Sequence, residues 1–386
     1  MNLTAGGFLP RLILWNGILS VLYHQYIGLC DLCCSQLLFL RGIMKKTLIP
    51  LFFVACAATS SYATTIYNKD GTKINLDGRV SLEILNSTDK RTDLIDRGSR
   101  LRFHAYHDIG YDLKALANIE LRFSDKEIGN NLHVKRLYAG FMHKHGKMTF
   151  GKQDLLGDKI GYSNFTYELG KIAKLTTAGD KSIHFLYELG DFRFGVDYLF
   201  GQSMKHTDND PSKDKLANKG AGFTTALFYH KKVAGFTFDL AGGYGEKKAG
   251  NLDSQEYTQE LAGTSFRMIY DAFAIGFDWA SAKSPKSHAD HKFRVGEEKF
   301  EKLNQFEVGV RYDLTDKNKA YAEYLWGTGK TESKPNGKFS GWFLGAEHKI
   351  NKHVVVYLEG GSFRTKQAGN TLEKEKRIAL GSRVYF

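Results

Sequence analysis

Residues 73–84 read Lys73-Ile74-Asn75-Leu76-Asp77-Gly78-Arg79-Val80-Ser81-Leu82-Glu83-Ile84. Ile74, Leu76, Val80, Leu82 and Ile84 share one parity; Asn75, Asp77, Arg79, Ser81 and Glu83 share the other. The alternation returns between Leu113 and Phe123, where Lys114, Asn118, Glu120 and Arg122 interleave with Ala115, Ala117, Ile119 and Leu121. It returns again over 192–200 and 306–313. Period two marks strands with one apolar and one polar face. Sixteen such runs begin near residues 73, 97, 112, 132, 146, 181, 191, 219, 235, 261, 272, 303, 319, 340, 353 and 376.

Composition agrees with strands. The 386 residues include 40 glycines, 20 tyrosines and 27 phenylalanines against 5 prolines, a mixture that suits sheets better than helices. A mean hydropathy of −0.35 excludes a bundle of membrane helices, and 13% aromatic residues exclude a disordered chain. The formal charge of +12 favours anionic partners without choosing among nucleic acid, a membrane surface or an anionic solute.

Connections between the runs alternate in length. Short ones fall at Gly110-Tyr111, His145-Gly146, Gly190-Asp191, Asp271 and Asn351-Lys352. Long ones are expected near 88–96, 125–131, 154–180, 202–218, 246–260, 284–302, 330–339 and 365–375, with Pro211, Pro285 and Pro335 inside them. A soluble sandwich would also alternate, but it would bury Arg79, Glu83, Arg122 and Asp197 at high cost. A sixteen-stranded membrane barrel turns that parity towards an aqueous lumen and the aliphatic parity towards lipid. An open edge in lipid leaves backbone groups unpaired, so Arg377–Phe386 is expected to pair with the first strand. Tyr198, Phe200, Trp279, Trp326 and Trp342 lie near strand ends, where aromatic girdles form.

The start of the chain reads as a processing signal. Lys45 and Lys46 follow Met44, Leu48 to Ala58 is apolar, and Ser61-Tyr62-Ala63 is a small-x-small cleavage pattern. Residues 44–63 are therefore expected to be a signal peptide, with the mature chain 64–386 starting at Thr64. A lipoprotein cut before Cys56 ranks second, because Phe53 stands where such signals usually have Leu. Residues 1–43 read as an upstream extension from a wrong start; Leu12–Leu22 is short for a membrane anchor. All four cysteines, Cys30, Cys33, Cys34 and Cys56, precede Thr64, and no second cysteine pair completes a zinc site. Neither metal nor cofactor is expected. The trimmed chain carries about +9, the +12 of the whole less four bases (Arg11, Arg41, Lys45, Lys46) and one acid (Asp31).

Several segments resemble the trimeric general porins of Gram-negative outer membranes. They are Thr65-Ile66-Tyr67-Asn68-Lys69-Asp70-Gly71-Thr72-Lys73, Ser99-Arg100-Leu101-Arg102-Phe103, Lys135-Arg136-Leu137-Tyr138-Ala139-Gly140-Phe141, Met148-Thr149-Phe150-Gly151-Lys152-Gln153 and the closing Val384-Tyr385-Phe386. The resemblance spans 64–386 and is strongest before residue 190 and at the last strand. It implies a 16-stranded antiparallel transmembrane β-barrel and a homotrimer, set among outer-membrane lipid and lipopolysaccharide. It implies that 154–180 folds inward as a constriction loop with Gly161–Gly170 at its tip, and that Phe386 is the C-terminal assembly signal. Glu168 matches an acid that the family presents from this tip; Asn164 stands where a second acid is often found. Arg79, Arg100 and Arg136 match basic constriction residues. Arg102 and Arg122 join them on parity alone, and Lys171 and Lys174 add charge where the loop returns.

The expected function is passive diffusion of ions and small hydrophilic solutes. Charges opposed about 8 Å apart across a waist interact by about 2 kcal/mol at an effective dielectric of 20, a field that disfavours apolar solutes. The excess of arginine predicts weak anion preference. A barrel enzyme is a rival, but the chain has no G-x-S-x-G and no H-E-x-x-H, and its histidines are scattered. An adhesin or receptor using the polar 202–218 and 284–302 loops is a second rival. A solute-selective channel is a third, although Tyr106 and Tyr138 alone do not make an aromatic slide. No nucleic-acid module is present, so no nucleic-acid partner is expected.

Overall fold

The computed structural model describes residues 63–88, 90–123, 132–167, 172, 175–201, 219–251, 254–285, 293–295, 298–331 and 334–386. The expectations for residues 1–62 and for the 202–218 loop lie outside the described residues.

Among the described residues twenty strands follow one another. The first seven are β1 (Thr64–Lys69), β2 (Thr72–Ser87), β3 (Lys90–Asp96), β4 (Arg100–Gly110), β5 (Leu113–Arg122), β6 (His133–His143) and β7 (Gly146–Asp154). After a 3-10 turn at Leu156–Lys159 come β8 (Ala178–Leu189), β9 (Phe192–Leu199), β10 (Gly222–Val233), β11 (Phe236–Asn251), β12 (Ser254–Tyr270) and β13 (Phe273–Lys283). The last are β14 (Phe293–Val295), β15 (Glu298–Phe300), β16 (Lys302–Asp313), β17 (Asn318–Thr331), β18 (Lys334–Asn351), β19 (Val354–Gln367) and β20 (Asn370–Tyr385).

Sixteen of them, β2, β4 to β13 and β16 to β20, pair antiparallel in sequence order and close a ring. Closure is made where Arg79 to Ser87 of β2 meet Tyr385 to Arg377 of β20. The last residue finishes the seam: Gly78 N–H donates to the Phe386 carbonyl at 2.8 Å, and Phe386 N–H donates to that of Gly78 at 3.1 Å. β1 pairs with the start of β2 and β3 with its end, so that β1 runs on from β20 and β3 from β4.

The solvent pattern is inverted relative to a soluble fold. Val80 and Ile84 are 46% and 47% exposed, whereas Glu83 between them is fully buried. Glu120, Asp197, Asp278 and Glu307 are equally buried, while Leu227, Leu344, Leu358 and Ile378 lie open. Aliphatic side chains on the outside of a closed sheet are stable only against hydrocarbon, and the closed ladder satisfies every backbone group at membrane depth.

Four expected loops are different objects. The stretches 246–260, 330–339 and 365–375 are mostly paired backbone, β11 with β12, β17 with β18 and β19 with β20, and 88–96 holds β3. Ribbons that rise out of the membrane meet water on both faces, so the apolar parity fades while the ladder continues. Pro335 accordingly sits within β18, beside the register shift between Gly329 and Thr331, where a missing N–H disrupts no regular rung. The 284–302 segment, read from the sequence as a polar loop, contains the β14–β15 hairpin, and its Val295 and Phe300 are buried.

Candidate functional site

Four adjacent strands, β2, β4, β5 and β6, set the basic side of the bore. Their register places Arg79 opposite Arg100, and Arg100 opposite Arg122. Two residues nearer the short-turn rim, Asp77 faces Arg102, Arg102 faces Glu120, and Glu120 faces Arg136. One row is thus wholly cationic and the next alternates in sign. In the alternating row Arg102 pairs with Asp77 at 2.6 Å and Arg136 binds both Glu120 and Asp154. Arg122 leans back from the cationic row to reach Glu120 at 2.6 Å. Arg79 donates from Nε to the Gly98 carbonyl at 3.3 Å. Neither Arg79 nor Arg100 has a carboxylate partner among the described residues. Like charges directly across a ladder are disfavoured; Glu120 relieves this row at Arg122 and the Gly98 carbonyl eases Arg79, while Arg100 is left with its cationic neighbours.

The segment after β7 leaves the wall and crosses the lumen. Leu156, Ile160 and Leu175 root it in an apolar cluster with Leu186, Ala226, Phe228 and Ala241. Leu156 N–H donates to Asp197 at 2.7 Å. Beyond that root the chain runs as a strap along β13, β16, β17 and β19. Its backbone lies so close that a Cβ on Gly276 or Gly309 would meet the carbonyl of Tyr162 or Ser163 at 2.3 and 1.8 Å.

Wall carboxylates hold the strap. Tyr162 and Ser163 donate their N–H groups to Asp278 at 2.9 and 3.2 Å. Glu323 accepts from Phe165 N–H, from Thr166 N–H at 2.7 Å and from Asn164 Nδ2 at 3.2 Å. Glu359 accepts from Tyr167 N–H, and the Tyr167 hydroxyl donates to Glu347 at 2.6 Å. Burial and then Glu347 hold that phenol protonated, its pKa displaced upwards. Several N–H donors converging on one carboxylate offset the cost of burying the charge.

Each strap aromatic also lies under a wall guanidinium. Arg267 stands 5.0 Å from the Tyr162 ring, Arg311 5.5 Å from Phe165 and Arg383 4.2 Å from Tyr167, within cation–π range. Tyr167 stacks at 4.2 Å on Tyr357, whose hydroxyl donates to Glu83 at 2.8 Å.

The expected arginines do gather on one side of the bore. Asn164 is turned to Glu323 and away from them, so it serves as a tether at a position where the resemblance pointed to an acid facing the bore. Glu168, Lys171 and Lys174 lie outside the described residues. The sequence reading missed Arg383, Arg311, Arg267 and the strap-holding acids Asp278, Glu323, Glu347 and Glu359. A signal was available for all of them, since each lies on the lumen parity of its strand; without the strap's path nothing distinguished them from other wall charges.

A Gram-negative porin family pattern matches residues 51–368. A major outer membrane protein of Pasteurella multocida is 36% identical over 369 residues, covering 89% of this chain and the whole of that protein. Among solved structures, OmpT, an outer membrane protein of Vibrio cholerae, in its trimer form superposes with a TM-score of 0.63 at 17% identity, over 82% of this chain and all of that one. The outer membrane channel DcaP of Acinetobacter baumannii superposes with a TM-score of 0.61 at 14% identity, over 83% and 99%. The inverted barrel, its charged bore and these likenesses agree: the chain belongs to the Gram-negative porin family and forms an outer-membrane channel.

Proposed function

We propose that this channel carries ions and small hydrophilic solutes passively and prefers anions, with no catalytic step. One observation carries the preference. The acids of the strap-bearing wall are buried and occupied by strap donors, with Asp278, Glu323 and Glu359 at most 3% exposed. Across from them Arg79 and Arg100 are only partly buried, and Arg102, Arg122 and Arg136, although paired with wall acids, keep 13–24% of their side-chain surface open. A solute in the gap between strap and basic wall therefore meets a wall whose Arg79 and Arg100 have no carboxylate partner among the described residues, a positive charge worth about 1 to 4 kcal/mol per contact at 4 Å depending on the local dielectric. Reversal potential across a bilayer under a potassium chloride gradient tests this, with the expected sign that of chloride preference; cation selectivity overturns it.

The trimer form of a structural neighbour supports a homotrimer here, with each bore a separate conduit. Conductance closing in three equal steps is the expected record. Lipid and lipopolysaccharide would cover the aliphatic outer face, and Phe386 at the seam suits a role in assembly. Export with cleavage after Ala63 predicts that the protein purified from outer membranes begins at Thr64, which N-terminal sequencing reads directly.

A further inference from the structure

Part of the bore wall is apolar where water was expected. Leu303, Leu325, Phe339 and Phe343 lie on the lumen parity of β16, β17 and β18, yet all four are buried, Phe339 and Phe343 at 3% and 6% exposure. Something inside the barrel covers them. The cover consists of Ile172 from the inward strap together with Val295 and Phe300 of the β14–β15 hairpin, all in one cluster with Ala280 and Ala282.

The seat for Phe300 is specific. Its ring, 1% exposed, fills the space that side chains would take at Gly329 and Gly337; a Cβ there would lie 2.2 and 2.5 Å from ring atoms. The backbone is tied down on both sides of the ring. Glu301 N–H donates to the Lys330 carbonyl at 2.9 Å, Ser284 N–H to the Glu301 carbonyl at 2.8 Å, and Thr331 Oγ to the Lys299 carbonyl at 3.3 Å. A phenylalanine in a glycine socket, flanked by main-chain hydrogen bonds, is a fitted part and not a loop resting on a rim.

We propose that this hairpin is a second constriction element, with Phe300 as its positioning residue. It sits in the bore on the long-loop side of the strap, takes cross-section from the channel, and clamps the strap through Ile172. The size limit of the channel is then set jointly by two inward segments, and solutes from the long-loop side meet the hairpin before the arginines. The proposal is independent of ion preference, since it concerns width and not charge.

The test uses the full-length chain, expressed and extracted from outer membranes, with heat-modifiable migration on gels confirming a folded barrel. Phe300→Ala should raise single-channel conductance by about 1.2- to 2-fold and admit larger sugars in liposome swelling. Val295→Cys reports the seat: a polar thiol reagent should label it slowly in the otherwise native chain, and at least about tenfold faster when Phe300→Ala is added. Because no cysteine follows Cys56, a processed chain beginning at Thr64 has none, and the parent protein, labelled in parallel, gives the background. Rapid labelling of Val295→Cys alone overturns the seat. Unchanged conductance and sugar cutoff in a folded double variant whose introduced thiol has become reactive overturn the constriction. If Phe300→Ala does not reach the membrane, the milder Phe300→Leu carries the same comparison.

Discussion

Two sectors of one wall use their charged groups differently. On β13, β17 and β19 the carboxylates Asp278, Glu323 and Glu359 are buried under the strap and occupied by its N–H groups. On β2, β4, β5 and β6 the guanidiniums are paired partly within the wall and partly left to the bore. A buried carboxylate ringed by donors holds architecture together, because removing it strands those donors. A guanidinium at the edge of water costs little to keep and acts on whatever passes. The acidic sector holds the strap; the basic sector is the one proposed to meet the solute.

The strongest challenge to that division is Glu323→Ala. It removes the acceptor of the Phe165 and Thr166 N–H groups and should loosen the strap by about 2 to 4 kcal/mol. Hydrogen exchange at 162–167 should accelerate and open-channel noise should rise. A quiet, protected strap with only a changed ion preference would put the acids in the filter instead.

Arg136→Ala comes next, since it mixes both roles. It frees Asp154 and leaves Glu120 with Arg122 alone, costing up to about 2 kcal/mol of barrel stability after allowance for partial exposure. The waist should widen, with higher conductance and lower anion preference. If neither moves, Arg136 has no part in the passage.

Arg100→Ala isolates the basic sector, because no described carboxylate depends on it. Anion preference should fall by about two- to fivefold, on the order of 1 kcal/mol, while the melting behaviour stays put. An equal loss of stability would give Arg100 a structural role like that of the acids. A smaller effect concerns Lys159 on the strap's root, whose ammonium is lowered to about 8 by burial, then by Lys147 and Arg193. Its charge is present at pH 7 and mostly gone at pH 9, so anion preference should drop over that interval by less than about twofold. Lys159→Met should flatten that change.

The contrast also separates what could be read early from what could not. Arg79, Arg100 and Arg122 were legible because their strand parity and their charge are both written locally. The acids share that parity, yet their task depends on a segment more than a hundred residues away, as with Ser163 and Asp278. No local pattern reports such a meeting. Loops were misread for a related reason: in the β11–β12 and β19–β20 ribbons both faces see water, and a periodicity that reports differential solvent goes silent.

Sequence alone therefore determined the barrel, its sixteen strands, its closure by the last strand and the side on which each residue falls. Those follow from one physical fact, that lipid and water select opposite side chains on alternate positions. Tertiary structure decided which charges are spent on holding the strap, that Asn164 is a tether, and that Phe300 turns into the bore. These depend on where a connection travels after leaving the sheet, and a connection's path is set by distant partners that its own residues do not encode by period or spacing.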